Sequence, residues 1–285
     1  MSRMNSFLRR ILLLLALTLS IGAMADEPSS QRLKVGLVLG GGGAKGAAEV
    51  GVLKVIEEVG IPIDYIAGTS IGSISGGLYA MDIRSAKLDS LFLNQNWLEL
   101  FAGNVREFLG EVTDHKHFNE LSIPFRCVAV DFKTQEEIIM DSCEIELAMR
   151  ASMAIPGAFK PVRWKGHTLV DGGMMNNLPV DVVKAMGADV VIAIDLQQEQ
   201  HEGRDFSLKE TFGIGGILDW AVSRPDWKKN KANREAADVY ICPDLDKYSV
   251  SSFGENSIDT MIELGEQAGQ AAKEELLRLK EMVFK

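Results

Sequence analysis

Apolar residues recur along the chain with two different spacings, and the two alternate. Residues 34–39 are a compact β-branched and aliphatic run, which predicts a strand. From 47 to 59 the side chains of Val50, Leu53, Val55 and Ile56 fall at helical spacing, and Gly60 is the stop. Pro62 breaks the chain. A second strand over 64–67 ends at Gly68, and a second helix runs over 71–81. Residues 82–121 mix Leu and Phe with polar residues and predict helices and loops without sharp boundaries. Strands follow at 125–131 and 137–140, then a helix over 144–152. A hairpin joins 162–164 to 167–170 through Lys165-Gly166. A helix over 180–186 is stopped by Gly187, and 190–196 is a strongly apolar strand. The remainder is charged and mostly helical, with a strand at 239–242 and one last amphipathic helix over about 257–283. Strands alternate with helices, and the strand cores are continuous apolar runs. That predicts a three-layer α/β/α fold with a largely parallel central sheet buried on both faces. No repeat or break in composition divides residues 26–285, so one domain is the simplest organisation.

The first 25 residues fall outside this pattern. Arg3, Arg9 and Arg10 form a basic front, residues 11–19 are almost wholly apolar, and Ala23-Met24-Ala25 is a small-x-small cleavage pattern. These are the parts of a secretory signal peptide, and the apolar stretch is too short for the roughly 30 Å hydrocarbon core. The expectation is an exported protein, in the periplasm, at a membrane surface or in the medium. Without the leader the chain has 27 Lys and Arg against 40 Asp and Glu, a net charge of −13. So acidic a chain cannot supply the broad basic surface that nucleic acid requires. It also has no polybasic attraction to anionic lipid, so any peripheral membrane contact would be local and apolar. Cys127, Cys143 and Cys242 are scattered without metal or redox spacing and read as small buried hydrophobes. A Cys127–Cys143 bridge between neighbouring strands is the one pairing considered. The oligomeric state is not legible.

Candidate chemistry sits at strand-to-helix junctions. Gly41-Gly42-Gly43-Ala44-Lys45-Gly46 joins the first strand to the first helix. Consecutive glycines let backbone N–H groups converge at the positive end of a helix, where either a phosphate or an oxyanion can bind. A dinucleotide turn would need an acid at the end of the next strand, and Asp64 precedes that strand instead. A P-loop would need Ser or Thr after Lys45, and Gly46 stands there. The end of the second strand holds Gly68-Thr69-Ser70-Ile71-Gly72, the G-x-S-x-G pattern in the setting of a nucleophile elbow. A nucleophilic serine needs a base. His115, His117 and His201 lie in polar runs and read as solvated. His167 stands four residues along a strand from Asp171, about 13 Å, too far to bridge it to Ser70. Asp171 itself ends an apolar run and precedes Gly172-Gly173, so its carboxylate would emerge from the core into a site.

These three ordered motifs resemble the patatin-like phospholipases. So do residues 151–157 (Ala-Ser-Met-Ala-Ile-Pro-Gly), Asn176-Asn177-Leu178-Pro179, and Gly187-Ala188-Asp189 before an apolar strand. The similarity runs over about 34–196. Gly40 departs from the family, whose plant members often carry Asp there. The resemblance is to an exported bacterial type without the outer-membrane barrel that some relatives append. It implies a lipid acyl hydrolase with Ser70 as nucleophile, Asp171 as base, no histidine, and an oxyanion hole at Gly42, Gly43 and their neighbours. It implies a fatty-acyl ester as substrate; no calcium or zinc site is evident in the sequence, so neither metal nor cofactor is expected. Lys45 is either a surface lysine or a headgroup contact. The apolar residues of 206–222, among them Ile214, Ile217, Leu218 and Trp220, are either core or an acyl-chain entrance. The alternative function is a non-catalytic lipid-binding or transfer protein on the same fold.

Overall fold

The structure, a computed structural model, describes residues 32–103, 105–197 and 227–285. The leader, His201 and the 206–222 stretch lie outside the described residues. Strand β1 (Val35–Leu39) passes through a 3-10 turn (Gly43–Gly46) into α1 (Ala47–Val59), and β2 (Tyr65–Thr69) turns directly into α2 (Ile71–Ala80). The segment of uncertain boundaries resolves into α3 (Ser85–Leu93), α4 (Trp97–Ala102) and α5 (Val105–Thr113). Then come β3 (Phe125–Asp131), β4 (Glu137–Met140), α6 (Ile145–Ser152) and the hairpin of β5 (Val162–Trp164) with β6 (His167–Asp171). The described chain continues with α7 (Val180–Ala185), β7 (Val190–Ile194), α8 (Trp227–Glu235), β8 (Val239–Ile241), α9 (Glu255–Ala271) and α10 (Lys273–Val283).

The strands form one sheet in the order β5-β6-β3-β2-β1-β7-β8, with β4 paired to β3. From β3 to β8 every pairing is parallel; β4, β5 and β6 are joined antiparallel. The period-2 alternation of strand side chains separates two cores. Val35, Leu37, Leu39, Ile66, Cys127, Ile192 and Ile194 face the larger core, beneath α1, α2 and α9. Val38, Ala67, Val128, Val191 and Ala193 face the smaller one, against Val180, Val182 and Val183 of α7. Burial on both faces is why these strands read as unbroken apolar runs.

Two expectations change. The single terminal helix is two, because Ala272 (φ −85°, ψ 0°) leaves the helical region between α9 and α10. The apolar spacing runs on through the break, so periodicity alone does not reveal it. The two pieces differ in packing. On α9, Gly265 lies so close to α1 that a Cβ there would stand 1.9 Å from the Ala48 carbonyl oxygen. On α10, Lys280 Nζ donates to Val59 O at the end of α1 (2.7 Å). Cys127, Cys143 and Cys242 are all free thiols, so the considered bridge does not form.

The register of β3 positions the site. Val128 lies opposite Thr69 on one edge and Ile139 on the other; Ala129 lies opposite Ile138 and Asp171. Strand β6 therefore takes over the edge of β3 that β2 leaves. The last residue of β6, Asp171, meets the first residue after β2, Ser70, head to head beside Ala129.

Candidate active site

Ser70 occupies a backbone conformation, φ 54° and ψ −122°, that L-residues rarely adopt, and it heads α2. The tightness of the turn explains its glycines. A Cβ on Gly68 would stand 2.3 Å from Gly72 O, and one on Gly72 would stand 2.3 Å from Leu39 O and 2.6 Å from Gly40 O. Backbone atoms cannot yield as a flexible side chain does. Gly72→Ala is therefore expected to cost about 4 kcal/mol or more, read as a shifted urea midpoint. A stability within about 1 kcal/mol of the parent would show that the elbow is looser than these contacts require.

The Ser70 hydroxyl donates to Asp171 Oδ2 at 2.8 Å. The other carboxylate oxygen, Oδ1, accepts the Gly173 N–H at 2.7 Å. Ser70 is 4% and Asp171 3% exposed. Burial pushes the Asp171 carboxyl up to about 6, against the lowering pull of the Gly173 N–H and the Ser70 hydroxyl. A carboxylate with that affinity for protons is a far better base than one in water, yet it remains ionised at neutral pH.

Three further segments hold this pair. The Ser70 N–H donates to Ser152 Oγ (2.9 Å), whose hydroxyl donates to Val128 O (2.6 Å). The Asp171 N–H donates to Ala154 O (3.0 Å). The Thr69 hydroxyl donates to Asn176 O (2.8 Å). Ser152, Ala154 and Asn176 lie in the segments 151–157 and 176–179, which the family resemblance marks without giving these residues a role; the polar character of Ser152 and Asn176 is a further signal.

The glycine loop runs alongside. A Cβ on Gly41 would approach Ser70 Cβ to 3.2 Å, and one on Gly46 would approach Ile71 Cγ1 to 2.3 Å. Gly41 exchanges two hydrogen bonds with Asn177: its N–H donates to Asn177 O (3.1 Å), and its carbonyl accepts from Asn177 Nδ2 (3.0 Å). The Gly40 N–H goes to Ile194 O, that of Ala44 to Val250 O, and that of Lys45 to Gly42 O. Among the described residues, the Gly42 and Gly43 N–H groups donate to no protein acceptor. The loop thus commits its other amides to structure and keeps two donors in reserve. Lys45 is half-buried in the 3-10 turn.

Among the described residues, the rings of His115 and His167 pair with carboxylates other than Asp171. His167 Nδ1 lies 2.7 Å from Asp131 Oδ2. His115 fits the solvated reading, with its ring 68% exposed, and its Nδ1 also lies 2.8 Å from the buried Glu146 Oε1. That hydrogen bond raises its pKa. The His117 N–H donates to Glu120 Oε2. Among the described residues, no group of three or more His, Cys, Asp or Glu could hold a metal ion, and no helix is long and apolar enough to cross a membrane.

Comparison with known proteins places the same residues in a family. The model described as patatin-like phospholipase matches residues 37–184, which is 148 of the 285. A patatin-like phospholipase domain-containing protein of Caenorhabditis elegans, ZK370.4, is 39% identical over 57% of this chain and 13% of its own length. Lysophospholipase NTE1 of Mycosarcoma maydis is 37% identical over 58% of this chain and 10% of its own. The chain thus spans a small fraction of these curated relatives. Among solved structures, ExoU in the ExoU–SpcU complex of Pseudomonas aeruginosa shares the fold, with a TM-score of 0.50 at 17% identity, covering 87% of this chain and 52% of that one.

Proposed function

The chain belongs to the patatin-like phospholipase family, and on that premise we propose that it is a serine acyl hydrolase that cleaves fatty-acyl esters of phospholipids or lysophospholipids. The observation that carries the reading is the 2.8 Å hydrogen bond from Ser70 Oγ to the buried carboxylate of Asp171, beside two uncommitted glycine amides. Asp171 Oδ2 takes the hydroxyl proton as Ser70 Oγ attacks the ester carbonyl. The oxyanion that develops accepts from the Gly42 and Gly43 N–H groups, at the positive end of α2. The intermediate collapses with the proton passing from Asp171 to the departing alcohol, leaving acyl-Ser70. Water then attacks this ester, giving its proton to Asp171, and the fatty acid leaves as Ser70 regains a proton. Every proton moves through Asp171, so no histidine is needed. Export belongs to the same proposal, supported by the basic front, the apolar run and Ala23-Met24-Ala25. A fatty-acyl substrate in a lipid surface would also bring the chain into peripheral contact with membrane.

The test is fatty-acid release by residues 26–285 from lysophosphatidylcholine and from p-nitrophenyl esters of increasing chain length, with a chelator present. An alkyl fluorophosphonate, followed by peptide mass mapping, should place its adduct on Ser70. Turnover without a Ser70 adduct, or no release from any ester, would refute the reading. The pH profile is a second check. Only ionised Asp171 accepts the proton, so kcat/KM should fall about tenfold per unit as pH drops below the value of about 6 and level off above it. A profile flat down to pH ~4 would remove Asp171 as the base.

A further inference from the structure

Just past β7, three residues are held by a dense set of buried bonds that the chemistry of Ser70 does not use. Asp195 is fully buried, and its N–H donates to Ile241 O at 2.9 Å. Its Oδ1 accepts the Gln197 N–H (2.9 Å), and its Oδ2 accepts both Arg234 Nε–H (2.7 Å) and the Tyr240 hydroxyl (3.0 Å). Arg234 Nη2 closes the ring by donating to Gln197 O at 3.0 Å. Desolvation offsets much of the attraction in a buried ion pair, so net stability is a weak reason for one. Geometry is a better reason. The backbone N–H and carbonyl of Gln197 are both pinned, and so is the residue two positions before it.

Between these anchors sits Leu196, itself buried. It lies against the glycine loop: a Cβ on Gly42 would stand 2.8 Å from Leu196 Cβ and 3.0 Å from its Cδ1. Two residues earlier in both segments, the Gly40 N–H donates to Ile194 O. The path 194–196 therefore runs beside 40–42. Gly41 is tied to Asn177 and Ala44 to Val250, whereas the Gly42 and Gly43 N–H groups have no acceptor among the described residues. On the Gly42 side, packing against Leu196 is what locates those donors.

We propose that Asp195 and Arg234 are positioning residues for the Gly42 and Gly43 amides, acting through Leu196. The inference rests on the acyl-hydrolase reading above. Donors aimed at a developing charge act only from the right place, so a displaced loop loses rate while ester binding persists.

Two variants test it. Arg234→Lys retains the charge but loses the fork that reaches Asp195 and Gln197 together. Leu196→Ala leaves the ion pair whole and removes the backstop, so it answers the question even where Arg234→Lys does not fold. Each is assayed on p-nitrophenyl butyrate well below its melting temperature, and amide hydrogen exchange is followed over residues 40–44. The expected result is kcat lower by about tenfold or more with KM within about twofold, and faster exchange over 40–44. The acid limb of the pH profile should stay where the wild type has it, because Asp171 is untouched. A lowered melting temperature with kcat unchanged would make the cluster merely structural and overturn the proposal. A raised KM at constant kcat would also overturn it. Should the wild type hydrolyse no ester, the acyl-hydrolase reading falls; exchange over 40–44 then decides the clamp alone, and unchanged exchange refutes that too.

Discussion

Asp171→Asn is expected to lose turnover and gain stability at the same time. Asparagine can keep both hydrogen bonds, accepting from the Gly173 N–H and donating toward Ser70 Oγ, so the elbow should keep its shape. It cannot take a proton. Loss of a positioned base should lower kcat by about 10²–10⁴. The gain in stability follows from linkage. Burial raises the Asp171 carboxyl in the folded state from the ordinary 3.8 to about 6, so the folded protein binds this proton more tightly than the unfolded chain does. Below about pH 4 both states are protonated and the residue exacts no penalty. As pH rises through 6 the buried carboxylate ionises at a cost approaching about 3 kcal/mol, and that cost persists at neutral pH. The asparagine side chain never ionises. The variant should therefore melt higher than wild type at pH 7–8, and the advantage should vanish as pH falls toward 4. A folded variant that keeps most of its activity would exclude Asp171 as the base. One that melts lower at every pH would show that the carboxylate is more favourable where it sits than its burial implies.

Ser70→Ala and Ser70→Gly should both abolish fatty-acid release, by on the order of 10⁴-fold or more, because no other hydroxyl takes the place of the nucleophile. They should differ in stability. With φ 54° and ψ −122°, a side chain at 70 strains the backbone, and glycine relieves strain of about 1–3 kcal/mol. Alanine keeps the strain. Both remove the hydroxyl that donates to Asp171 Oδ2, leaving that oxygen without the bond that lowers its proton affinity. Ser70→Gly should consequently melt above Ser70→Ala at pH 5, where the stranded carboxyl is protonated in both. Equal melting temperatures would place the elbow's strain elsewhere. Residual turnover within about tenfold of wild type in either variant would exclude Ser70 as nucleophile.

Most strands and helices were legible because the forces that shape them are local. Continuous apolar runs become strands when both sheet faces are covered, as 35–39 and 190–194 did, and a helical stripe closed by glycine ends where expected, as at Gly60 (φ 71°). The 82–121 segment was opaque because its helices are short and mix polar with apolar positions. The break at Ala272 left no mark because neither Gly nor Pro is needed for a residue to rest at φ −85°, ψ 0°. It is decided by what each half packs on.

The candidate site divides along the same line. Ser70, Asp171 and the glycine loop could be read from composition at strand ends, since a tight turn demands glycine whatever surrounds it. Their meeting could not. Ser70 and Asp171 are 101 residues apart, and they touch because β6 takes over the edge of β3 where β2 stops, which is a matter of register between distant strands. The same holds for the raised proton affinity of Asp171, which depends on burial by segments remote in sequence, and for Leu196, which looks like one more apolar residue until Gly42 is seen against it. Local steric and hydrophobic preferences are written residue by residue, so most elements and the candidate chemical groups can be read along the chain. Distances and desolvation are properties of the packed whole, so which groups can act together follows from how distant segments pack.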